Sequence, residues 1–226
     1  MTSDQSRSLR EAGLKAGSAV IRQAPLIVET VQAGIPAETR EQVDVLIRVM
    51  AGFDRDTAEH LESVGTMAML LAHRVDLTPE TIATCLLAGR VHDIGKLAIS
   101  RSILLKPATP SDAEWAELKM APVYGGSTLS GLPRLRYLTP IVVAHHERID
   151  GSGYPHGITG PEIPLESQVV AIADAFCAMT SPRPYFPARL PNEAIREIER
   201  NAGTQFNQDL VDVFAEMFRE PGLMVV

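Results

Sequence analysis

The chain has 226 residues, 45% of them hydrophobic and 22% charged, which suits an ordinary globular protein with a sizeable core. Its formal charge of −7, with no cluster of basic residues, argues against a nucleic-acid polymer or an anionic membrane surface as partner. A small phosphorylated substrate is not excluded, because a metal centre supplies positive charge locally.

The N-terminal residues are polar and lead into no apolar signal core, and no apolar run approaches the roughly 20 residues that span a bilayer. Cys85 and Cys177 give neither a CxxC spacing nor a disulfide framework. These features predict a cytoplasmic protein without a membrane segment.

In chain order, helix-period patterns dominate and no strand signal stands out. Residues 8–33 read as helical with a break near Pro25, and Val43, Leu46, Ile47 and Met50 make one apolar stripe over 37–51. The first 52 residues carry no chemical motif. They are expected to form a helical extension that packs on the main domain, residues 53–226, or pairs with a second copy as a homodimer.

A helix over 55–75 carries His60, and Thr78-Pro79 opens the next, which runs to His92-Asp93 with Gly95 closing it. Ser111 and Glu114 form a capping box for a helix through Met120. Thr139-Pro140 opens another, ending in His145-His146-Glu147. The Gly- and Pro-rich stretch 150–165 reads as a loop, and a helix over about 166–180 carries Asp174. Proline-rich residues 181–191 form a surface segment, and helices near 192–201 and 208–219 close the chain.

His60, His92, Asp93, His145, His146 and Asp174 all sit in or at the ends of apolar helices, where imidazole and carboxylate are costly to bury without a partner. A metal ion is such a partner. A lone His on an apolar helix is more often a satisfied core residue, so His60 gains weight only from the others. His73 and His156 lack such neighbours and read as surface residues. Mixed imidazole and carboxylate ligands suit iron or manganese, and also nickel, zinc or cobalt. Two metals sharing a carboxylate form a device for phosphate ester cleavage, in which a bridging hydroxide attacks phosphorus. Asp93, beside a His ligand, is the natural bridge. Lys96 is placed to hold a phosphate oxygen, although a cation at a helix C-terminus also complements the helix dipole.

The strings His92-Asp93-Ile94-Gly95-Lys96 and His145-His146-Glu147-Arg148-Ile149-Asp150-Gly151-Ser152-Gly153-Tyr154-Pro155 resemble the HD-GYP domain, a branch of the HD phosphohydrolase superfamily. The resemblance covers about residues 55–218 and includes Leu104-Leu105-Lys106-Pro107, Glu162-Ile163-Pro164-Leu165 and Arg183-Pro184-Tyr185. It implies an all-α helical bundle that hydrolyses cyclic di-GMP to pGpG or GMP at a centre of two or three metals. It further implies His60, His92, Asp93, His145, His146 and Asp174 as ligands, with Lys96 catalytic. By the same resemblance, substrate contacts come from Lys96, Gly153, Tyr154, Pro155, Arg183 and Tyr185. The Gly-Tyr-Pro loop is also linked to diguanylate cyclase domains as partners.

This sequence departs from the family pattern at several positions. Ala121 stands where the family has a ligand His, and a methyl group cannot ligate. Asp56 replaces a Glu that holds a third metal in some relatives. Cys177, Pro182 and Phe186 replace two Asp and a basic residue. Three readings follow: an active cyclic di-GMP phosphodiesterase, a degenerate sensor or protein-binding module, and a phosphohydrolase of another nucleotide or phosphoester.

Overall fold

The computed structural model describes residues 25–106, 108–181 and 188–219, and no strand occurs among them. The expected all-α fold is what forms. Helices α1 (Pro25–Gly34) and α2 (Ala37–Phe53) lead into α3 (Arg55–Arg74) and α4 (Pro79–Val91). A 3-10 turn (Ile94–Ala98) and the short α5 (Arg101–Leu104), α6 (Asp112–Leu118) and α7 (Ala121–Ser130) follow. A second 3-10 turn (Arg136–Leu138) precedes α8 (Thr139–Ala144), and a third (Gly160–Glu162) precedes α9 (Leu165–Thr180). α10 (Pro191–Arg200) and α11 (Gln208–Met217) complete the described chain.

Local chemistry explains where these helices start. Thr78 Oγ1 accepts from the Thr81 amide, and Pro79 occupies the first turn, where a missing N–H costs nothing. Ser111 and Glu114 satisfy each other's backbone amides in a capping box at α6, as the sequence predicts. Asn207 accepts from the amides of Asp209 and Leu210 at the start of α11.

Helices α3, α4 and α9 enclose the main core, with Leu71, Leu87 and Ile172 fully buried. Phe176 of α9 meets Phe214 and Phe218 at ring-centroid distances of 5.3 and 5.0 Å. Helices α3 and α4 cross on two glycines: a Cβ on Gly89 would stand 2.6 Å from the Gly65 Cα. Only the missing side chains permit that approach. The crossing matters for function because His60 lies five residues before Gly65, and His92 three after Gly89.

Helix α2 packs on this body through buried Val43 and Met50. Arg90, buried on α4, donates to Asp44 of α2 at 2.8 Å and to both Glu62 oxygens of α3 at 2.6 and 2.9 Å. On the opposite face of α2, Val45 and Val49 are exposed.

Gly95 does not close α4, contrary to the sequence reading. The helix ends at Val91, and Gly95 is absent from the positive-φ glycines and sits inside the 3-10 turn. Its lack of a side chain serves packing: a Cβ there would lie 1.9 Å from the Ala121 carbonyl oxygen and 2.4 Å from the Gly125 amide nitrogen. The helix expected to reach Glu147 stops at Ala144, and the one expected to reach Met120 stops at Leu118. Of the expected loop 150–165, residues 150–164 are irregular except for the turn at Gly160–Glu162, and Leu165 already opens α9. Both cysteines are buried and free; burial and the nearby Glu166 push Cys85 up to about 12, so that thiol is inert near neutrality.

Candidate metal centre

Four chain segments converge on one point. His60 comes from the second turn of α3, His92 and Asp93 from the end of α4, His145 and His146 from the end of α8, and Asp174 from α9. The imidazoles stand in a row, with ring centroids 5.6 Å apart for His60–His92, 5.0 Å for His92–His145 and 3.9 Å for His145–His146.

The helix ends fix the chemistry of two of these rings. The last carbonyls of a helix have no partner within it. The Gly89 carbonyl oxygen lies 2.8 Å from His92 Nδ1, and the Val142 carbonyl oxygen lies 2.6 Å from His145 Nδ1. A carbonyl only accepts, so Nδ1 of each ring donates and carries the proton. In the neutral ring Nε2 then carries the lone pair, the form in which imidazole binds metal. His92 Nε2 and His145 Nε2 are buried and have no hydrogen-bond partner among the described residues. Such orphaned acceptors are rare in folded proteins unless something occupies them. Donor set and burial together fit a transition metal.

The carboxylates complete two groups. Ligand atoms of His60, His92 and Asp93 lie within 4.8 Å of one another, and so do those of Asp93, His145 and His146. Asp93 is common to both. Asp174 Oδ1 lies 2.9 Å from His60 Nε2 and 3.7 Å from His92 Nε2, on the side of the first group.

Burial opposes ionisation of Asp93, but Lys96 and His92 outweigh it and hold the carboxyl well below its ordinary range. Asp174 is likewise lowered: burial opposes the shift, and the hydrogen bond to His60 overcomes it. Burial also opposes protonation of His92, yet the adjacent Asp93 raises its pKa. Burial pushes His145 and His146 down, His145 with help from neighbouring His146 and His92. The carboxylates are thus ionised and the His145–His146 pair neutral near pH 7, as metal ligation requires.

Lys96 Nζ donates to Asp93 Oδ2 while the side chain remains 34% exposed, so the ammonium is anchored yet reachable from solvent. Beside the histidines opens a cleft of about 500 Å³ whose lining includes Trp115, Lys119, Tyr154 and Asp174. The Tyr154 ring lies 4.8 Å from that of His146. Burial, with Asp93 and Asp174 nearby, raises the Tyr154 hydroxyl far above its ordinary value, so it stays protonated.

The loop around Tyr154 is held by a residue that sequence reasoning missed. Glu147 is buried, and its Oε1 accepts from the His156 amide at 2.6 Å and the Gly157 amide at 3.2 Å. The Tyr154 amide donates to the His146 carbonyl at 3.2 Å. A Cβ on Gly153 would stand 2.5 Å from the Glu147 Cα, so the loop folds directly back on the ligand segment. Pro155 follows Tyr154 through a cis peptide bond. Arg148 reaches Gln205 Oε1 at 2.8 Å and ties the same segment to the turn before α11.

The remaining predicted site residues lie elsewhere. Asp56 is exposed in the first turn of α3 and belongs to neither ligand group. Ala121 is buried at the start of α7, its carbonyl against Gly95. Cys177 is buried one turn after Asp174 on α9. Arg183 and Tyr185, with Pro182 and Phe186, lie outside the described residues. His73 and His156 are exposed, as expected.

Comparison with known proteins shows the family. The HD domain family model matches residues 25–210. A protein of Thermotoga maritima named cyclic di-GMP phosphodiesterase is 35% identical over 182 residues, covering 80% of this chain and 50% of its own length. A cyclic di-GMP phosphodiesterase response regulator of Xanthomonas campestris is 37% identical over 175 residues, covering 76% of this chain and 46% of its own. The chain thus spans about half the length of these curated relatives.

Among solved structures, a cyclic GMP-AMP specific phosphodiesterase of V. cholerae superposes with a TM-score of 0.59 at 18% identity, covering 74% of this chain and 45% of that one. An HDGYP protein of Bdellovibrio bacteriovorus gives 0.58 at 15% identity, covering 93% and 70%. At those identities the structures speak for the fold alone. The chain thus belongs to the HD domain family as an HD-GYP phosphodiesterase-like member.

Proposed function

We propose that this chain is a metal-dependent phosphodiesterase that opens cyclic di-GMP to pGpG, GMP or both. The observation that carries the reading is Asp93, a buried carboxylate common to two histidine groups whose ligand atoms lie within 4.8 Å of one another. His60, His92, Asp93 and Asp174 would hold one divalent ion, and Asp93, His145 and His146 a second, with iron or manganese favoured. Bound there, such ions would polarise the phosphodiester and lower the pKa of a water molecule.

The chain's own groups do the rest. As neutral rings, His92 and His145 present Nε2 lone pairs because backbone carbonyls hold their Nδ1 protons. Lys96, fixed to Asp93, keeps a partly exposed ammonium beside the shared carboxylate, where it can donate to a phosphate oxygen as negative charge builds. Tyr154, protonated at all physiological pH, offers a hydroxyl donor from the cleft wall. Relatives named for cyclic di-GMP and for 3'3'-cGAMP hydrolysis support a cyclic dinucleotide as the substrate class.

Ala121 favours a second reading, a cyclic dinucleotide sensor with little turnover. At the start of α7, where the Ala121 backbone carbonyl lies against Gly95, a methyl side chain leaves one family ligand missing.

One experiment separates the two. Anaerobic protein loaded with Fe(II) or Mn(II) is incubated with cyclic di-GMP and, in parallel, 3'3'-cGAMP. Products are resolved by chromatography while metal is counted. Turnover to a linear or mononucleotide product with two metals per chain supports the enzyme. Binding without turnover, with one metal or none, supports the sensor. Neither binding nor turnover of either dinucleotide overturns both.

A further inference from the structure

Trp115 is the chain's single tryptophan, and it is 48% exposed. Exposure alone assigns it no role, since single exposed apolar residues are ordinary; its surroundings do. Trp115 lines the same cleft as His145, His146 and Asp174. Its ring meets that of Tyr154 edge-on, with centroids 6.3 Å apart and planes at 73°, and Tyr154 in turn leans on His146. A chain of ring contacts therefore runs from His146 through Tyr154 to the half-exposed Trp115 indole.

The helix beneath this indole is fixed although it is only seven residues long. Glu114, next to Trp115, accepts from the Ser111 amide at 2.7 Å and from Lys106 Nζ at 2.6 Å. Lys119 stands four residues on, on the same helical face, and its amide donates to the Trp115 carbonyl at 3.0 Å. Lys119 also lines the cleft, so a cation flanks the aromatic surface. A flat π-surface and a cation lining the same cleft as the candidate ligands are what a nucleobase with an attached phosphate needs.

We propose that Trp115, with Tyr154 at its edge, is the platform on which one purine base of the dinucleotide stacks. Lys119 faces the phosphate or sugar of the same nucleotide. This assignment rests on the cyclic dinucleotide reading of the cleft. Stacking is tolerant of base identity, so the platform sets affinity for purine dinucleotides as a class, without choosing between guanine and adenine.

The single tryptophan makes the test direct. Metal-loaded protein is titrated with GMP while indole emission is followed, and ribose 5-phosphate, which lacks the base, serves as competitor. The expected result is saturable quenching by GMP, none by ribose 5-phosphate, and recovery of emission when ribose 5-phosphate displaces GMP. In steady-state kinetics Trp115→Ala should raise KM for cyclic di-GMP on the order of tenfold with little change in kcat, and Trp115→Phe should retain most of the affinity.

Calorimetric binding of GMP with unchanged emission, or an unchanged KM in Trp115→Ala, overturns the platform and leaves the phosphodiesterase reading standing. Emission changes on GMP binding without cyclic di-GMP turnover support the platform and count against the enzyme. Absence of both GMP binding and turnover overturns the two together.

Discussion

At His92 and His145 the same local device decides which ring nitrogen is free: a helix ends, its last carbonyls lack partners, and the next His donates Nδ1–H to one of them. The His-Asp and His-His strings are legible in the sequence because ligand chemistry is written in side-chain identity. Their convergence is not, since His60 and Asp174 meet only through tertiary packing. Asp93 belongs to both ligand groups, so Asp93→Ala should lose both metals, as measured by elemental analysis of the purified variant. Retention of a full metal load would exclude the shared role.

Glu147 escaped sequence reading because its partners are backbone amides nine and ten residues away, which no side-chain pattern announces. Glu147→Ala should release the loop that carries Tyr154 and cost about 1.5–3 kcal/mol in urea unfolding, the worth of hydrogen bonds to a charged acceptor. Glu147→Gln, which keeps one acceptor oxygen, should recover part of that. Equal stability of all three proteins would show that the loop is held by other means.

Among the elements, α6 was legible down to its capping box, because Ser at the N-cap with Glu three residues on is a local signal. The turn after α4 was misread, because a Gly following an apolar helix is most often a left-handed cap. Here the deciding contact is with Ala121 and Gly125, far along the chain. Gly95→Ala must push one backbone off another and should destabilise by about 1–3 kcal/mol or more in urea unfolding. A neutral result would mean that α7 can move.

The anchor of α6 also has a pH signature. Hydrogen bonds from Lys106 and Ser111 lower the Glu114 pKa from 4.5 to about 2. A depressed carboxylate stabilises its folded surroundings above the unfolded pKa and ceases to do so as pH falls through the folded one. Trp115 emission should therefore report loosening of α6 as pH falls from about 4.5 towards about 2. Glu114→Gln should abolish this transition while global unfolding still occurs. A transition unchanged in that variant would assign it to other carboxylates.

Across the whole molecule, the candidate centre joins α3, α4, α8 and α9, so a ligand bound there holds the native state and not the unfolded one. Saturating metal at a hundred times its Kd should add about 2.7 kcal/mol. For a domain of this size that corresponds to a thermal midpoint about 5–10 °C higher. Differential scanning with and without chelator measures it, and Asp93→Ala should show no such shift. The helical class was legible from periodicity alone, and most helix starts from their caps. The close crossing of α3 on α4 was not, because Gly65 and Gly89 gain their meaning only from each other.

The hydrogen bond between His60 and Asp174 closes a loop of 114 residues. During synthesis, α3 and α4 leave the ribosome with His60, His92 and Asp93 long before α9 supplies the carboxylate opposite them. In the proposed four-ligand set Asp174 is the last ligand to be synthesised, so that site would be completed only once α9 has formed. In refolding, metal uptake should lag behind helix formation and coincide with the slowest long-range step.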